Sequence, residues 1–124
     1  RQMGSGFGFV TPLMMLQDPE RTKVVIVTLP EPTPVAEARA LQDDLARAGI
    51  TPWAWVVNQS LAAARPRSPF LRRRAAAEQP CLDEVMAQTT RVALVPVLER
   101  EPVGEDALAA LTSAVAHIAR SSTG

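Results

Sequence analysis

One cysteine, one histidine and one lysine are all that these 124 residues hold of three types that often carry chemistry. The single thiol, Cys81, excludes an internal disulfide and suits a reducing cytosol. It has no CxxC partner, so a structural zinc site built within the chain is not expected. His117 stands without carboxylate or cysteine neighbours in sequence, and a surface role is the expectation. Lys23 is the one lysine among 13 basic residues. With so much Ala and Pro, that arginine bias reads as a property of the genome. No apolar run approaches the ~20 residues of a membrane span, and no signal-peptide pattern is present. Phosphate-loop and nucleophile signatures are also missing: there is no GxxxxGKS/T, no GxGxxG and no Ser/His/Asp set. MGSGFGF is Gly-rich but lacks the lysine and follows no strand. By itself the chain has no machinery for phosphoryl or acyl transfer. Net charge is +0, which argues against a polyanion-seeking protein. Five arginines fall between Arg65 and Arg74, but Arg72, Arg73 and Arg74 fan around a helix axis and a single aromatic, Phe70, falls among the five. A solvated face is expected there, and no nucleic-acid partner.

What is present is a βα alternation. Thr11-Pro12 ahead of LMMLQD has the form of a helix start, and Asp18-Pro19 ends it. The unbroken β-branched run KVVIVTLP predicts a strand over about 23–29, buried on both faces. Thr33 with Pro34 at the first helical position opens the next helix. Val35, Ala38, Leu41, Leu45 and Ala48 form its buried stripe, and Gly49 its left-handed end. A second strand covers 53–58, with Asn58-Gln59-Ser60 as its exit loop. Residues 61–69 read as irregular. Ser68 caps a long helix from Pro69, interrupted near Pro80 and running to about Gln88. The third strand is 91–97, the loop Leu98–Gly104 follows, and a last helix runs from Glu105 to about Arg120 with Leu108, Leu111, Val115 and Ile118 as its stripe. This order specifies one α/β domain with a parallel sheet. Three strands make a small sheet. The opening Arg-Gln, without an initiator methionine, reads as the tail of an earlier helix, so a piece of a longer protein is expected.

Three loops converge on the carboxyl edge of that sheet, where open α/β folds bind ligands: Pro30–Thr33, Asn58–Ser60 and Pro96–Gly104. An Asn at a strand end can pair with both the N6 donor and the N7 acceptor of adenine, or can close a turn with its own backbone. Glu31 beside a helix N-terminus is favoured electrostatically there, or grips ribose hydroxyls. The loop LEREPVG could fold over a flat base or merely connect strand to helix. Met14 and Met15 read as core filler.

The runs TPLMMLQDPERTKVVIVTLPEPTPVAEA, LARAGITPWAWVVNQS, RSPFLRRRAAAEQP and RVALVPVLEREPVG, in that order, resemble the arsenical pump-driving ATPase family over about residues 7–112. The resemblance implies a partial P-loop NTPase-like three-layer α/β/α sandwich, the carboxyl-terminal part of one ATPase domain whose P-loop half lies upstream. It implies ATP and Mg2+ as cofactors of the full-length ATPase. Asn58 falls on the family's adenine-contacting asparagine. Glu31 falls on a nucleotide-contacting glutamate of the related targeting factors, and Pro96, Val97, Leu98 and Glu99 fall on the segment covering the ring. No catalytic or metal-binding residue is carried onto this chain, and the chain alone is expected to be inactive. The implied partners are the upstream half of the same protein, a membrane arsenite efflux pump, and a homodimer or pseudo-dimer mate. The implied location is cytoplasmic, peripheral to the membrane at a pump. A related ATPase that delivers client proteins, or an adaptor without a P-loop, is the alternative.

Overall fold

β-branched runs alternating with capped amphipathic stretches build a sheet with helices against it. The computed structural model describes residues 9–114 and the backbone of 116–119. The elements are α1 (Pro12–Gln17), β1 (Val25–Thr28), α2 (Pro32–Arg47), β2 (Ala54–Ser60), α3 (Leu61–Ala64), α4 (Pro69–Ala77), α5 (Gln79–Gln88), β3 (Arg91–Pro96), α6 (Glu105–Ala114) and β4 (Ala116–Ala119). The sheet order is β1-β2-β3-β4. The first three strands are parallel, with Ile26 opposite Trp55 and Trp55 opposite Val92. This is the expected parallel sheet with flanking helices.

The caps explain where the helices begin. Thr11 accepts a hydrogen bond from Met14 N at 3.1 Å, and Ser68 accepts one from Leu71 N at 3.3 Å, each satisfying a first-turn donor. The next helix starts earlier than its spacing suggests. Glu31, not Thr33, is the N-cap of α2, and Pro32, not Pro34, opens it. Both prolines tolerate a helix start, so spacing cannot choose between them. Gly49 at φ 76 supplies the left-handed end of α2, as expected, and Gly104 at φ 89 a second left-handed turn.

The core lies on one sheet face. Ile26, Trp55, Val57, Val92 and Leu94 pack against Val35 and Ala38 of α2 and Cys81, Leu82 and Val85 of α5. Strand β1 is therefore not buried on both faces within this chain: Val25 is 41% and Val27 63% exposed. Leu41, expected in the α2 stripe, is also exposed and borders Val27 across a shallow hollow. Met14 and Met15 are not core filler either. Helix α1 has six residues and buries none of them, so its methionines stay half-exposed.

The last helix stops at Ala114, short of Arg120, and Ala116–Ala119 instead pair antiparallel with β3, Val92 opposite Ile118. Without that pairing β3 would present a row of unsatisfied backbone groups along its outer edge. Backbone pairing there overrides the helical spacing. The expectations for the Gly-rich opening, and for the side chains of Val115, His117 and Ile118, lie outside the described residues. No helix among the described residues is long and apolar enough to cross a membrane.

Candidate functional site

The carboxyl ends of the three parallel strands carry the site. Strand β2 does not end at Asn58 but continues through Gln59 to Ser60. Val57 pairs with Leu94 and Ser60 with Pro96, so the register slips by one residue between them. Gln59 absorbs the slip with φ 55, in the left-handed region that bulky residues avoid. A bulge of this kind bends the strand and re-aims its side chains. Polar Asn-Gln-Ser looks like a loop, but Pro96 and Val97 of the neighbouring chain segment keep the ladder going: Val97 N donates to Ser60 O at 3.1 Å.

Asn58 is half-buried at this bulge, and its Oδ1 accepts a hydrogen bond from Gln59 N at 2.9 Å. The side chain thus does contact its own backbone, with a second lone pair on Oδ1 and two amide protons left for other partners. Asn58 and Gln59 line a cavity of about 350 Å³ with Pro96, Val97, Leu98 and Glu101. That volume falls within the ~300–1,000 Å³ of ordinary ligand pockets. Its walls are apolar apart from a few side-chain heads, which suits a flat heteroaromatic ring with one hydrogen-bonding edge. Glu99 is exposed on the same loop and does not line this cavity.

Glu31 is brought to a second, adjoining cavity of about 390 Å³, bounded also by Leu29, Gln59, Arg74, Glu78 and Val97. Although it is the N-cap of α2, its side chain makes no capping hydrogen bond. Helix capping therefore does not account for the carboxylate. Asn58 and Glu31 line different cavities, and Gln59 and Val97 are shared by both. Of the arginine cluster, Arg72 and Arg73 are exposed as expected, and Arg74 lies over the Phe70 ring at 5.9 Å while bordering the Glu31 cavity.

The residue that sequence reasoning missed is Glu78, 7% exposed. It is the N-cap of α5 yet makes no side-chain bond to that helix. Instead Oε1 accepts from Leu61 N at 2.7 Å, and Oε2 accepts from Ser60 Oγ at 2.9 Å and Ala62 N at 3.2 Å. Ser60 Oγ accepts in turn from Ala63 N at 3.2 Å. A carboxylate surrounded by donors at the start of α3 is the arrangement that the exposed amides of a helix N-terminus favour. No local spacing announces it, because the partners lie 16–18 residues earlier in the chain. Nearby, Cys81 is buried and its thiol pKa is raised above 9.0, first by burial and then by the negative charges of Glu84, Glu78 and Glu31. A thiol held protonated in this way is a poor nucleophile. No group of three or more His, Cys, Asp or Glu among the described residues could hold a metal.

Residues 11–117 match the family model described as anion-transporting ATPase. The chain belongs to this family. The arsenical pump-driving ATPase of Escherichia coli is 59% identical over 109 residues, which is 87% of this chain and 19% of that protein. The arsenical pump-driving ATPase of Acidiphilium multivorum is 55% identical over 114 residues, 91% of this chain and 20% of that protein. A second Escherichia coli protein of the same name is 54% identical over 109 residues. The chain thus spans about a fifth of the length of these curated relatives. Within the family match lie the whole parallel sheet and every residue that lines the two cavities.

Proposed function

We propose that this chain forms the base-binding wall of the ATP site in an ATPase that drives arsenite or antimonite export, as the carboxyl-terminal part of one nucleotide-binding domain. The observation that carries the reading is the cavity joining Asn58 and Gln59 to the Pro96–Leu98 segment at the carboxyl edge of a parallel sheet, in a chain of the anion-transporting ATPase family. In this reading Asn58 meets the N6 and N7 edge of adenine with its amide. Pro96, Val97 and Leu98, with Glu99 at the rim, cover the ring. Glu31, on the adjoining cavity, reaches toward the ribose.

The residues fit a purine base and do not fit the phosphates. The lining is an amide pair, apolar side chains and the adjacent, oppositely charged Arg100 and Glu101, and among the described residues it contains no lysine and no phosphate-cradling glycine loop. Bound ATP supplies the energy of its γ-phosphate bond, and Mg2+ neutralises charge on the phosphates. The groups that hold both belong, in this proposal, to the rest of the protein, together with the docking surface for a membrane pump and for a second ATPase half. The chain's own contribution is orientation: it holds the base, and so fixes where the phosphates lie.

The test is base selectivity. In the whole protein, Asn58→Asp replaces the donor–acceptor amide with two acceptors, which repel N7 of adenine and suit the donors of guanine. The preference for ATP over GTP should fall by about tenfold, the worth of one good bidentate pair. An unchanged preference in competition binding overturns the base-binding role.

A further inference from the structure

Ser60 is fully buried and is the junction of the site. It is where the β2–β3 ladder resumes, opposite Pro96, after the slip that contains Asn58 and Gln59. Its carbonyl accepts from Val97 N at 3.1 Å, anchoring the first residue of the loop proposed to cover the base. Its hydroxyl donates to Glu78 Oε2 at 2.9 Å, while the same carboxylate takes the amides of Leu61 and Ala62. Gln59 holds φ 55 between these fixed points. A glutamine keeps such a conformation only where its neighbours over-determine it. On one side that constraint is the Val57 rung of the sheet, and on the other it is Ser60, clamped by Glu78.

We propose that Glu78 is a positioning residue for base recognition. Through Ser60 it holds the Asn58–Gln59 bulge and the Val97 end of the covering loop in a single geometry, so that the amide and the apolar cover address the same ring. The proposal rests on the reading that Asn58 and the Pro96–Leu98 segment meet adenine. Glu78 reaches the base through other residues, and its effect is therefore on selectivity. A carboxylate that served only to cap α3 would affect stability and leave selectivity alone.

The experiment uses the whole protein and measures displacement of a fluorescent adenine nucleotide by ATP and by GTP. Four proteins are compared: the parent, Glu78→Gln, Ser60→Ala and Asn58→Asp. Glu78→Gln keeps the shape but sets an amide NH2 among three donors. It should lower the ATP-over-GTP preference about fivefold, and Ser60→Ala, which removes one bond of the set, about twofold in the same direction. The ratio is read on folded, binding molecules, so a loss of stability reduces the amount bound without moving it. A parent-like ratio in Glu78→Gln overturns the proposal. Where Glu78→Gln does not fold, Ser60→Ala decides, and a parent-like ratio there overturns it equally. If Asn58→Asp shifts the ratio and the other two variants do not, this proposal alone fails. If Asn58→Asp leaves it unmoved, the base-binding reading fails and the proposal goes with it.

Discussion

Trp55 donates its indole N–H to Gln42 Oε1 at 2.8 Å, tying the start of β2 to α2. The indole is fully buried, and Gln42 passes the link on to Gln88 Oε1 at the end of α5, at 3.3 Å. One polar thread therefore crosses an otherwise apolar layer and sets both helices against the same strand. Gln42→Leu leaves the buried indole donor without its partner. Unfolding free energy should fall by about 1–3 kcal/mol, the cost of an unsatisfied buried group. A urea titration followed by Trp fluorescence checks it, with the slope unchanged if only stability moves. A parent-like midpoint would show the bond to be dispensable.

Gly49 ends α2 at φ 76, and a Cβ built there would meet Gln17 Nε2 at 2.9 Å. That same nitrogen donates to Ala48 O at 2.7 Å, which fastens α1 to the end of α2. Gly49→Ala carries two costs: a left-handed backbone that alanine resists by about 1–2 kcal/mol, and displacement of the Gln17 contact. Gly49→Asn should lose less, because asparagine tolerates this conformation. Chemical denaturation of the two variants should rank them glycine, asparagine, alanine. Alanine equal to asparagine would remove the backbone argument.

The Cys81 thiol gives a pH dependence whose sign can be worked out. Its pKa is raised in the folded protein above the ordinary 9.0, by burial first and by Glu84, Glu78 and Glu31 after that. Below pH 9 both folded and unfolded chains keep the thiol protonated, and the group contributes nothing. Above it the unfolded chain loses its proton first, so stability falls as pH rises. Cys81→Ala should abolish this component of alkaline destabilisation, measured as the change in urea midpoint between pH 8 and pH 10. An alkaline slope identical in the two proteins would assign the effect elsewhere.

The three parallel strands and the caps of α1 and α4 were legible because each has a local cause. β-branched runs mark β1, β2 and β3, and the side chains of Thr11 and Ser68 take the first-turn amides that their positions predict. The covalent order also brought Glu31, Asn58 and Val97 to one edge, which follows from parallel topology alone. What was not legible depends on distant partners. Asn58–Ser60 stays in the strand because Ser60 pairs with Pro96 and takes the amide of Val97, and polarity at 58–60 gives no hint of it. Glu78 caps a helix that precedes it in sequence, so helix rules applied around Pro80 assign it to the wrong helix. Burial of both faces of β1 was inferred from an apolar run, but helices α2 and α5 cover only the face of Ile26 and Thr28. Apolar character shows that a face can be buried. It does not identify what buries it.

The division of labour proposed for the ATP site has a consequence for the chain alone. Phosphoryl transfer depends on positioning the γ-phosphate and neutralising its developing charge. One cavity offers Asn58, Gln59, apolar walls and the offsetting charges of Arg100 and Glu101, and the other offers Glu31 and Glu78. Two carboxylates beside a polyphosphate repel it, and among the described residues Arg74 is the one cation bordering the Glu31 cavity. The 124-residue chain should therefore release no phosphate from Mg2+-ATP above the buffer rate, while the whole protein turns it over. The check is a phosphate-release assay on the chain before and after a second purification. Activity lost in that step belongs to a contaminant. Activity that persists, and that follows the chain through a gel-filtration peak, would mean that these residues hold the phosphates after all, and the assignment of phosphate binding to the rest of the protein would fall.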